Sequence, residues 1–153
     1  MNEKLQHQRR PEYSLSEAEN LAKRFREQSK ESDELWDNQL ALQAIERYQE
    51  AASGYQIEGA PPSKLFECYR NIFTLAHEAF IQSTKEKEEV FLGHLNASYQ
   101  EMDGLVKKMH HEAKRSPYAG SRQIAAMLEE TFQATIWPVM KEIKEGRIPK
   151  LGQ

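Results

Sequence analysis

Apolar residues in this chain recur three and four positions apart almost from end to end, and no segment alternates apolar and polar in steps of two. A 3.6-residue period places such residues on one side of a helix, whereas a strand needs a period of two. The chain is therefore expected to be all-α. Amphipathic helices must bury their stripes against one another, so the predicted architecture is a helical bundle of four to five amphipathic helices.

Punctuation divides the pattern. The polar, aperiodic residues 1–13, which include Pro11, read as a flexible N-terminal arm. Ser14-Leu15-Ser16-Glu17 has the form of a capping box, which predicts a helix start at Ser14. Its stripe is Ala18, Leu21, Ala22 and Phe25. Residues 26–34 carry no apolar side chain, yet neither Gly nor Pro interrupts them. A single long rod over 15–55 is the expectation, and a break near 30 with a restart at Ser32-Asp33-Glu34 is the other option. The stripe resumes through Ile45, Tyr48, Ala52 and Tyr55. Gly59-Ala60-Pro61-Pro62-Ser63 then ends it, because residues preceding proline disfavour the helical region.

The next stripe, Leu65/Phe66, Tyr69, Ile72/Phe73, Ala76 and Phe80, is the most apolar and is expected at the centre of the bundle. A second capping box at Ser83-Thr84-Lys85-Glu86 predicts another start, with a helix over about 84–115 that either continues the one before it or folds back. Its stripe includes Val90/Phe91, His94/Leu95, Met102, Leu105/Val106 and Met109. Gly93 and Gly104, three turns apart, share a face. Ser116-Pro117-Tyr118-Ala119-Gly120 closes the segment. A final helix is predicted over 121–145. It carries Ile124, Met127/Leu128, Thr131/Phe132, Ile136, Val139/Met140 and Ile143 on one face, and a kink is predicted at Pro138. Gly146 suits the position just past a helix end. The domain reading is thus one helical domain over 14–146 with a mobile tail, 147–153.

Charge is uneven. Residues 1–30 hold seven Lys/Arg against five Asp/Glu, residues 31–90 hold five against twelve, and residues 91–153 hold nine against seven. An acidic middle between mildly basic ends is too weak a bias for a general nucleic-acid binder. Complementary segments instead favour packing between copies or with a protein partner. No apolar run approaches the ~20 residues of a spanning helix, and the first ten residues have no apolar core of a secretory signal. The single cysteine, Cys68, has no internal partner, which favours a reducing, cytoplasmic location. Beside Leu65, Phe66 and Tyr69 it reads as a small buried hydrophobe.

Catalytic and metal motifs fail on spacing. Thr74, Phe91, Lys107 and Lys108 stand three residues before the inner histidines, where a di-iron bundle needs carboxylates. His77-Glu78 and His111-Glu112 lack the second histidine of a zinc-peptidase helix. Glu89 and Glu101, on one continuous helix, would lie about 18 Å apart and could not share an ion. No glycine-rich phosphate loop and no nucleophile elbow occurs. No catalytic residue, metal or cofactor is therefore expected.

Lys107, Lys108, His111, Lys114 and Arg115 form a basic cluster, and 107, 111, 114 and 115 fall on one side of a helix. Such a cluster can contact backbone phosphates, although no aromatic side chains interleave with it to stack bases. The reading is a non-enzymatic helical adaptor or assembly subunit acting through protein–protein contacts, including self-association. The alternative is a helical subunit of a nucleoprotein complex that uses this basic helix end.

Overall fold

The computed structural model describes residues 10–31, 38–83 and 85–146. They form α1 (Pro11–Glu31), α2 (Gln39–Ile57), α3 (Pro62–Gln82), α4 (Lys85–Arg115) and α5 (Ala119–Thr131). A π-helical turn (Phe132–Ile136) follows, and then α6 (Trp137–Lys144). Among the described residues there is no strand, so the all-α expectation holds. Consecutive helices pack on one another as a series of antiparallel hairpins, with a smaller contact between α3 and α5.

The rod expected over 15–55 does not form. The 15–55 region is two helices packed side by side, and the predicted restart at Ser32 lies outside the described residues. Stripes on both halves explain the fold-back. A single rod would leave Phe25 and Ile45 facing water, whereas the hairpin buries both. α3 and α4 are likewise separate. Ser83 is extended, and its hydroxyl donates to the Phe80 carbonyl at 2.8 Å. The serine read as the start of α4 thus closes α3 instead.

α1 begins one turn earlier than the capping-box reading placed it. Pro11 opens the helix, where its missing N–H is not needed. Ser14 is a buried interior residue whose hydroxyl donates to Glu50 across the hairpin at 3.4 Å. Nearby, Gly54 of α2 faces the Pro11 ring. A Cβ there would lie 2.8 Å from Pro11 Cγ. Gly93 and Gly104, in contrast, face open space, so no close helix approach uses them. Helix propensity alone would make Gly54→Ala stabilising by up to ~1 kcal/mol. Overpacking against a rigid ring costs about 1–3 kcal/mol, so net destabilisation is expected. In a Pro11→Ala background the same change should become stabilising, and a double-mutant cycle by urea denaturation reads this reversal of sign.

The α2–α3 turn is a Schellman closure. Gly59 has φ of 73°, its N–H bonds the Gln56 carbonyl at 3.1 Å, and the Ala60 N–H bonds the Tyr55 carbonyl at 2.9 Å. Glycine reaches this left-handed conformation without the steric cost of a side chain. α1 is also clasped to α3, because the Arg26 guanidinium and the Glu78 carboxylate form a two-pronged pair with N–O distances of 2.9 Å.

The core runs through every helix, with Phe25, Phe66, Phe73, Phe91, Leu95 and Met102 among its largest fully enclosed or nearly enclosed members. A smaller cluster of Ala51, Ala52, Tyr55 and Cys68 sits between α2 and α3, with Leu15 of α1 against it.

The disturbance predicted at Pro138 takes the form of the π turn just before it. The Trp137 N–H reaches back five residues to the Phe132 carbonyl. Buried Leu128, Phe132, Ile136 and Met140 repeat every four residues. A 3.6-residue helix drifts by about 40° at each such step. The wider turn takes up that drift and also relieves the carbonyl that the proline ring would meet.

Candidate interaction surface

Lys107, Lys108, His111, Lys114 and Arg115 are all exposed on the last turns of α4, as the sequence places them. Lys107, His111 and Lys114 line a groove of about 390 Å³ between α4 and the start of the π turn, whereas Lys108 and Arg115 lie outside its lining. The groove also carries Asp103 and Glu129. The Lys107 ammonium donates to Asp103 at 2.8 Å, a hydrogen bond that raises the lysine above its ordinary value. His110 Nε2 lies 2.6 Å from a Glu129 carboxylate oxygen. Two carboxylates inside the cluster blunt its attraction for phosphate. Spacing along one helix shows Asp103 but not Glu129, which arrives from α5.

A second groove, of about 370 Å³, lies where α3 begins and α4 gives way to α5. Pro61, Pro62, Met109, Ala113 and Ile124 supply its apolar lining. The expected final stripe needs correction here. α5 buries only Ala125 and Leu128. Ile124 is 43% exposed and Met127 56% exposed, although the spacing put both on the buried face. Adjacent stripes one residue apart are indistinguishable by period, and the helices packed against α5, chiefly α4, select the line through 125, 128 and 132. Tyr118, just before α5, is also exposed. Apolar side chains gathered at the end of a helix stack offer contact area without polar groups to satisfy.

Where α4 meets the π turn and α6 lies an aromatic group that the sequence reading missed. Tyr99 of α4 packs against Phe132 with ring centroids 5.2 Å apart and against Trp137 at 6.2 Å. Their separation along the chain hides this contact.

Other chemistry-bearing groups sit in structural positions. Cys68 is buried, as expected. His77 and His94 are half-buried, and desolvation lowers both below the ordinary imidazole value, which suits neutral boundary residues. Among the described residues no group of three or more His, Cys, Asp or Glu is arranged to hold a metal ion. No helix among them is long and apolar enough to cross a membrane.

No family model matches the chain, and comparison with curated proteins and with solved structures likewise gave no match.

Proposed function

We propose that this chain is a non-enzymatic helical adaptor or assembly subunit that works through protein–protein contacts, including contacts between its own copies. The observation that carries the reading is the uncovered face of α5, where Ile124 and Met127 stay exposed beside an apolar groove. Among the described residues no further helix is packed over Ile124 and Met127, and an added helix would extend the stack by the same ridge-and-groove contacts. The acidic middle of the chain and its basic end also suit pairing of unlike surfaces.

A second reading rests on a separate observation. Lys108, Lys114 and Arg115 have no ion-pair partner among the described residues, which leaves their charge available to an anionic partner such as nucleic-acid backbone.

Size-exclusion chromatography with light scattering at low and high salt, read at 260 and 280 nm, separates the two. The adaptor reading expects a salt-insensitive mass above the 17.8 kDa of one chain. Ile124→Glu with Met127→Glu should return it to one chain with an unchanged far-UV helix signal. A monomer at all protein concentrations overturns self-association. A 260 nm excess that high salt removes, and that Lys108, Lys114 and Arg115 changed together to Glu abolish, favours the nucleoprotein reading.

A further inference from the structure

Lys144, on the last turn of α6, holds its ammonium 5.4 Å from the Tyr99 ring centroid and 5.9 Å from that of Trp137. The two rings are inclined by 36°, so they form a shallow V whose faces share one cation. Tyr99 is anchored beneath by the buried Phe132 ring, and the Trp137 ring remains partly open to solvent. The π turn matters here, because it resets the phase of α6 and so sets where Trp137 meets Tyr99. We propose that Tyr99 and Trp137 form a binding site for a quaternary or methylated ammonium group, with Lys144 as its tethered competitor.

The ligand class follows from hydration. A primary ammonium is a compact, strongly hydrated charge, and it gives up much solvation when it settles on a ring face. Methyl groups spread that charge, weaken hydration and bring apolar surface on to the rings. Aromatic faces therefore select quaternary over primary ammonium. A lysine on the final helical turn is also well placed to leave, because no hydrogen bond anchors its ammonium among the described residues. This site shares no residue with the α5 face of Ile124 and Met127.

The test is titration of the full chain with tetramethylammonium chloride, following the Trp137 indole N–H by NMR against sodium chloride of equal ionic strength. Trp36→Phe assigns the signal. The expected result is a saturable shift with tetramethylammonium alone. Lys144→Met, a surface change, should tighten binding about two- to fivefold by removing the competitor. Tyr99→Leu should abolish saturation with the far-UV signal unchanged. Choline and a trimethyllysine peptide then distinguish a free quaternary ammonium from one carried on a side chain, since the peptide binds better only in the second case. A linear response equal to that of sodium chloride overturns the proposal. So does saturation that neither Lys144→Met nor Tyr99→Leu alters.

Discussion

Phe91→Ala is expected to cost roughly 3–5 kcal/mol of folding stability, while Val90→Ala next to it should change stability by no more than about 0.5 kcal/mol. Both residues are large, apolar and on the same helix. Phe91 is 0% exposed and Val90 is 47% exposed. Truncating Phe91 removes an aromatic ring from a packed core and leaves a cavity that α3 and α4 can fill only in part. Truncating Val90 removes surface that water already reaches, and alanine is the better helix former. Against a total stability of about 5–15 kcal/mol, the first change takes a large share. A chain of this length should lose about 10 °C in Tm. Thermal and urea unfolding of the two variants provide the check. Equal losses would mean that α4 sits in a different rotation against α3.

Cys68 is expected to react with a thiol reagent at neutral pH at least about 100-fold more slowly in the folded chain than in urea. Burial pushes its thiol up to about 11, and Glu67 adds to that while Lys64 opposes it. An ordinary cysteine lies near 8.5, so the thiolate share at pH 7 falls by about two orders of magnitude, before any steric shielding. The same displacement links stability to pH. The folded chain keeps its thiol proton where the unfolded chain has lost it, so unfolding is favoured as pH rises from about 8.5 towards 11. Tyr48, pushed up to about 12 chiefly by burial, acts in the same direction at still higher pH. Cys68→Ala should flatten the first part of this alkaline loss, as read from urea midpoints between pH 7 and 10. Rapid labelling of the folded chain would show instead that Leu65 and Tyr69 open readily over the thiol.

Much of this fold is written in local terms. The period of apolar residues specifies helices, and a period is a property of neighbours along one chain. The turn at Gly59 and the end at Gly146 are equally local, since each needs a backbone conformation that glycine adopts without strain. Pro138 likewise announces a disturbance, because a missing N–H cannot complete a regular helix. The negative results on metal and catalytic motifs also follow from spacing.

What the period leaves open is which of two adjacent stripes turns inward. Val90 and Phe91, or Met127 and Leu128, fit one helical face equally well, and the packed neighbour chooses between them. The choice of hairpins over rods has the same origin. Residues 26–34 contain no breaker, and the reason for folding back is the burial of Phe25 and Ile45 together, a gain that exists only between segments. Ser14 and Ser83 show the limit of motif reading, since each forms a hydrogen bond other than the one its capping pattern implies. At the candidate surfaces, Glu129 enters the basic groove and Tyr99 meets Trp137 only because α4 and α5 are antiparallel. Helix identity in this protein is local physics, whereas the faces left open for partners depend on contacts between residues far apart in the chain.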